Sequence, residues 1–162
     1  MVEAGCIYKK KVDGQDMYVL SVKEPSQIDN VALPSPHFGV LFLWDSQDTC
    51  SKNITNTVEK LIAAGGVYFS CWGQGCERLH DIIDEVGLGA RGLDDDSILM
   101  TTWHEKDSLH EVLWYFLNVA FPDQAYEQSA HAKVVIIVRQ STCAVSCLEI
   151  VRQLLNEDSS DR

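Results

Sequence analysis

Positive charge is scarce in this chain. Thirteen Lys and Arg residues stand against 24 Asp and Glu, a formal charge of -11. That field repels phosphate backbones and anionic lipid, so nucleic acid and membrane are not expected as partners. The one basic cluster, Lys9, Lys10 and Lys11, is short and lies beside a turn. It reads as lysines protecting a strand edge. No run of 18 uninterrupted apolar residues occurs, which leaves no sequence signal for a membrane-spanning helix. The N-terminus also lacks the basic-then-apolar order of a secretory signal. A soluble, cytoplasmic protein is the expectation. Six cysteines, at 6, 50, 71, 76, 143 and 147, then meet a reducing compartment and are read as free thiols. No Gly-Lys-Ser/Thr is present, which excludes a P-loop.

What remains is ordinary globular material. At 162 residues, 46% hydrophobic, one domain buries enough surface to need no disulfide or metal for its core. No internal repeat appears. Residues 7–12 and 17–22 are β-prone runs joined through Asp13-Gly14, a hairpin signal. Residues 24–37 hold three of the four prolines and read as a surface loop. Beyond them, strand-like apolar runs at 38–44, 67–72, 98–103 and 133–138 alternate with helical spacing. Ile54, Val58, Leu61 and Ile62 form one helical stripe, stopped by Gly65-Gly66. Leu79, Ile82, Ile83 and Val86 form the next, with Gly87 as its terminator. Ser108 and Glu111 have capping-box spacing. They open a helix carrying Leu109, Val112, Leu113, Phe116, Leu117 and Ala120, which Pro122 ends. Ser141 or Thr142 caps a last helix carrying Val145, Leu148, Val151 and Leu155. Cys143 and Cys147 sit on it as small core residues.

Repeated strand-helix units predict a single α/β domain over 1–156. It is doubly wound, Rossmann-like and three-layered, with a mostly parallel sheet and an N-terminal β-hairpin over 1–23. Residues 157–162 form a polar tail.

In such sheets ligands bind outside the carboxyl ends of the strands. Trp44, Trp72 and Trp103 fall at the last positions of three consecutive strands, each followed by a polar residue or a glycine turn. This predicts an aromatic-walled pocket of Trp44, Asp45, Trp72, Gly73, Gly75, Trp103 and His104. The alternative is that the aromatics only close the core. Asp45, Cys71, His104 and Glu105 are the catalytic candidates, with Asp45 and His104 as bases. Gly73-Gln74-Gly75 opens a helix and offers backbone N–H groups to an anion, although Arg78 stands where a dinucleotide fingerprint wants a small residue. Cys76 at a helix start, paired with His104, suggests a thiol nucleophile. Cys71, Cys76, His80 and His104 together suggest a zinc site without C-x2-C spacing. Asp94, Asp95 and Asp96 read as a solvated acidic loop. No cofactor is assigned.

Trp114 and Tyr115 suggest an interface, because Trp114 lies across its helix from the apolar stripe. The competing reading packs Trp114 against residues 122–131, near Tyr126.

The strings CWGQGCERLHD at 71–81 and MTTWH at 100–104, followed by residues 108–116, resemble an uncharacterised family of small bacterial α/β proteins. The resemblance spans residues 38–123. It implies a bacterial origin and carries no catalytic assignment.

Three functions follow from these features. The first is a non-catalytic binding or regulatory protein, such as an immunity or accessory protein, engaging a protein partner or forming a homodimer. The second is a ligand or nucleotide sensor, or a hydrolase, using the strand-end pocket for a small molecule. The third is a metal-binding protein.

Overall fold

The computed structural model describes residues 6–12, 14–30, 33–90, 99–139 and 144–160. Six strands, β1 (Cys6–Val12), β2 (Gln15–Val22), β3 (His37–Leu43), β4 (Gly66–Trp72), β5 (Met100–Trp103) and β6 (Ala130–Val138), form one sheet in the order β1-β2-β6-β3-β4-β5. All neighbours are parallel except β1 and β2, the antiparallel hairpin. Gly14 turns that hairpin at φ +80°. The hairpin extends the sheet, with β1 as its outer edge. Lys10 of this edge strand donates to the Leu155 carbonyl.

Among the described residues four α-helices cover the sheet: α1 (Ser51–Ala64), α2 (Cys76–Ala90), α3 (Leu109–Asn118) and α4 (Ala144–Ser160). Strand pleating sorts side chains onto two faces, and each face has its own core. Val40, Phe42, Phe69, Val134 and Ile136 meet Ile54, Val58 and Leu61 of α1 and Leu79 and Ile83 of α2. Leu41, Leu43, Val135 and Ile137 meet Val112, Leu113 and Phe116 of α3 and Val151 and Leu155 of α4. The molecule is therefore a three-layer α/β domain. β3 and β6 lie at its centre and are apolar on both faces, as strands sandwiched between helices must be.

The helix ends show where local chemistry decides. α3 carries the full capping box: Ser108 Oγ accepts from the Glu111 N–H at 3.1 Å and Glu111 accepts from the Ser108 N–H at 2.7 Å. α1 stops at Gly65, whose φ of +117° and close approach to the Pro36 carbonyl, 2.2 Å from where a Cβ would sit, leave room for glycine alone.

Elsewhere the boundaries move. Gly87 does not end α2, which continues to Ala90. The glycine instead lies buried within the helix, facing Leu99 3.1 Å from its missing Cβ. α3 ends at Asn118, so Ala120 is buried beyond the helix rather than on it. The 24–37 loop contains a short 3-10 helix, Pro25–Asn30, which seats Ile28 in the α1 core. α4 runs to Ser160, into the expected tail, because a helix once nucleated propagates at little cost per residue. Asp13, Asp94, Asp95, Asp96, Ser141, Thr142 and Cys143 lie outside the described residues, and the expected core position of Val145 falls outside the described side chains. Among the described residues no helix is long and apolar enough to cross a membrane.

Candidate functional site at the carboxyl ends of the strands

Two loops meet beyond β3 and β4. The ladder continues one step past the strands, with the Trp44 N–H donating to the Trp72 carbonyl at 3.0 Å. Gly73 then turns the chain at φ +122°, and a Cβ there would lie 2.4 Å from the Trp44 carbonyl oxygen. Gly75, at φ +82°, also leaves no room for a Cβ, which would lie 2.8 Å from the backbone of Gln47. Both glycines are thus required by strand-to-loop packing.

The amide they expose is already used. Asp45 Oδ1 accepts from the Gln74 N–H at 2.9 Å, taking the place an external anion would occupy. Arg78 reaches back from the first turn of α2 to the carbonyls of Ser46 (3.2 Å) and Thr49 (2.9 Å) and to Ser51 Oγ (3.0 Å). A cation in a first helical turn opposes the helix dipole. Here it is spent tying down the β3–α1 loop. That misplaced charge is the sequence signal that could have revealed the strap.

An open cleft of about 660 Å³ lies over these loops, lined among others by Asp45, Trp72, Glu77, Arg78, Glu105 and Asp107. Of the three strand-end tryptophans, Trp72 lines it. Strand register explains why. Trp72 pairs with Leu43 and so shares the α3 side, while Trp103 pairs with Cys71 and shares the α2 side with Phe42 and Trp44. Trp44 is buried 5.6 Å from the Phe42 ring. Trp103 is 45% exposed and packs on His80 at 4.5 Å.

His104 is buried on the α3 side, where it joins a chain of polar groups. Its Nδ1 lies 2.7 Å from Asp107 Oδ2 and its Nε2 3.0 Å from Thr102 Oγ1, which lies 2.9 Å from Ser70 Oγ. The imidazole packs at a tilt against the Tyr115 ring, centroids 4.8 Å apart, and the Tyr115 hydroxyl meets that of Tyr68 at 3.4 Å. Burial is the main cause that pushes the Tyr68 phenol up to about 12. Spacing does not announce Asp107, Thr102 or Ser70. Hydroxyls inside otherwise apolar strands were the available clue.

The thiols are not members of this side-chain series, although the His104 backbone adjoins both cysteines, its N–H donating to the Cys71 carbonyl at 3.0 Å and also favouring the Cys76 thiolate. Cys71 is fully buried, which pushes its thiol well above the ordinary range. Burial is also the largest cause raising Cys76, despite N–H donors that oppose it. Neither is a ready thiolate, and both His104 nitrogens go to Thr102 and Asp107. His80 turns to the other face of the sheet, with Nδ1 3.1 Å from Asp81 and Nε2 3.4 Å from Asp84. Among the described residues, no three His, Cys, Asp or Glu side chains are grouped to hold a metal.

On α3 the two aromatic neighbours diverge. Tyr115 is half-buried in the polar chain, whereas Trp114 is 59% exposed. Tyr126 packs at a tilt against His37, with ring centroids 4.7 Å apart.

A family model matches residues 17–157, from β2 through most of α4. The chain belongs to the DUF7684 family, a domain of unknown function. It matches no curated protein. The match takes in the three-layer core, the stitched loops and the His104 chain of this DUF7684 domain, and leaves β1 and the last residues of α4 outside.

Proposed function

We propose that this protein is a non-catalytic binding or regulatory protein of the cytoplasm that engages a basic protein surface along α3. The observation that carries this reading is the exposure of Trp114, at 59%, with Phe121 beyond the helix end at 67%. Large aromatics held outside the core are the residues that dominate protein interfaces once covered. Charge supplies the complement. α3 starts two residues past Asp107, so a partner lying along the helix meets the carboxylates of the strand-end cleft at one end and Phe121 at the other. A net charge of -11 selects for a cationic face. An immunity or accessory role fits this description.

The polar groups at the strand ends favour binding over turnover. Asp45 is occupied by Gln74, Arg78 by the β3–α1 loop, and His104 by Asp107 and Thr102. A nucleotide at the glycine turn would first have to displace Asp45.

The test is association measured by light scattering and pull-down from host extract, for the wild type and Trp114→Ala, at low and high salt. Salt-sensitive association that Trp114→Ala abolishes is the expected result. A wild type that stays monomeric and unaccompanied, or a variant that associates equally well, overturns the reading.

A further inference from the structure

A second cavity lies toward the amino ends of the parallel strands, beneath the end of α3. Its volume is about 220 Å³, more than the roughly 150 Å³ of an apolar cavity that accepts benzene. Met17, Tyr68, Phe116 and Phe121 supply apolar lining. Lys133 enters from β6, buried to 9% exposure. Its Nζ donates to the Phe116 carbonyl at 2.7 Å and, at the limit of a hydrogen bond, to the Leu117 carbonyl at 3.5 Å. Two of the three donors of the ammonium meet carbonyls, and Nζ otherwise faces the Phe116 and Phe121 rings, 5.3 and 5.6 Å from their centroids, with no anion among these contacts. Among the described residues no carboxylate lines the cavity.

The charged and titratable neighbours do not supply a counter-ion. Asp16 pairs with Ala132 and points to the opposite face of the sheet. Asp123, just past the lining Pro122, is engaged by the Ala125 N–H. Tyr68 is a neutral phenol. His131 shares the face of Lys133 but is exposed, as are Lys11, His110, Glu111, Glu149 and Arg152 of the surrounding elements. Lys10 is taken by the Leu155 carbonyl. Burial alone lowers the Lys133 ammonium from 10.5 to about 8, which leaves it mostly charged at neutral pH.

Gly39 is the second observation. It sits inside the buried strand β3 and lines the cavity. A Cβ at this position would find Phe116, Tyr68 and Lys133 side-chain atoms at 3.6 to 3.8 Å, ordinary contact. Its φ is not in the left-handed range. Packing does not demand glycine, although β3 shifts register against β4 between Phe38 and Gly39, and a glycine inside a strand weakens it. What glycine preserves here is the space beside Lys133.

We propose that this cavity binds a small monocarboxylic acid with an apolar body of about benzoate size, its carboxylate seated on Lys133 Nζ and its body against Phe116, Phe121 and Met17. A desolvated, charge-assisted contact of this kind supplies both affinity and discrimination against neutral isosteres. The proposal shares Phe121 with the partner reading but not Trp114, which does not line the cavity, and its tests at Lys133 and Gly39 leave the exposed face of α3 untouched.

The experiment is calorimetric titration of the full chain with benzoate, hexanoate and benzyl alcohol, from pH 6.5 to 9.5. At least one acid binds saturably at pH 7, and benzyl alcohol binds at least roughly tenfold more weakly. Lys133→Met and Gly39→Val, one removing the charge and the other filling the space, each weaken acid binding by a similar factor. Affinity for the wild type holds below pH 8 and falls above it, by up to about tenfold per pH unit. Absence of saturable binding by either acid, equal binding by folded Lys133→Met, or a pH-independent affinity overturns the proposal. The pH series needs no variant, so it decides even if a substitution prevents folding.

Discussion

Asp45 Oδ1 lies 2.9 Å from the Gln74 amide nitrogen, so the glycine turn after β4 is closed by a carboxylate of the chain itself. The turn resembles an anion cradle in sequence and is a loop clasp in structure. Asp45→Ala removes the acceptor and costs about 1 kcal/mol. Gly73→Ala costs more, because it adds a Cβ that would lie 2.4 Å from the Trp44 carbonyl in a left-handed conformation, itself worth about 1–3 kcal/mol. Urea unfolding of both variants gives this order. The reverse order would show that the clasp, rather than the close approach, holds the loops together.

The strand-helix alternation was legible because period 2 and period 3.6 are separate signals. The capping box at Ser108 and Glu111, the Gly65 stop and the apolar β3 and β6 runs all landed where local chemistry put them. Site geometry was harder to read for two physical reasons. Being last in a strand fixes distance along the sheet but not which face a side chain takes, and a one-residue offset between neighbours sends Trp72 to one face and Trp44 and Trp103 to the other. A polar side chain's partner is also set by tertiary approach. Asp45 meets Gln74 and Arg78 meets Thr49 across 29 positions each. Lys133 hid in the opposite way, as one charge ahead of five apolar residues in a strand read as wholly apolar.

Thr102 Oγ1 stands between His104 Nε2 and Ser70 Oγ, at 3.0 and 2.9 Å. Thr102→Val keeps the shape of the side chain and leaves two buried groups without that partner, a loss of about 1–3 kcal/mol. Ser70→Ala removes the end of the same chain. The double variant should therefore lose less than the sum of the singles, with a coupling of about 0.5 kcal/mol or more. Chemical denaturation of the four proteins measures it. Strict additivity would mean that the hydroxyls contribute separately.

Cysteine reactivity follows thiolate character and access. Cys50 is exposed, while Cys71, Cys76 and Cys147 are buried. Iodoacetamide labelling of the native protein followed by peptide mapping should modify the Cys50 peptide promptly. The Cys71 and Cys76 peptides should remain unlabelled until denaturant is added. Fast native labelling of Cys76 would revive the thiol nucleophile at the start of α2.

Lys133 also makes a signed prediction about stability. Its ammonium titrates near 8 when folded against 10.5 for the free side chain, so between these values the unfolded chain binds more protons than the folded one. Stability then rises with pH through this window. The full shift corresponds to at most about 3.5 kcal/mol of destabilisation at neutral pH, at 1.4 kcal/mol per pH unit. Tyr68 works against it at the upper end. With its folded phenol near 12 against the usual 10, it loses stabilisation as pH climbs above 10. The informative range is therefore pH 7.5 to 9.5, and the informative quantity is wild type minus Lys133→Met. That difference should move in favour of the wild type as pH rises, in urea titrations without added ligand. Saturating benzoate, by holding the ammonium charged, should stabilise the wild type most at pH 7 and progressively less toward pH 9.5. A flat difference without ligand would place the Lys133 amine in water rather than beneath α3.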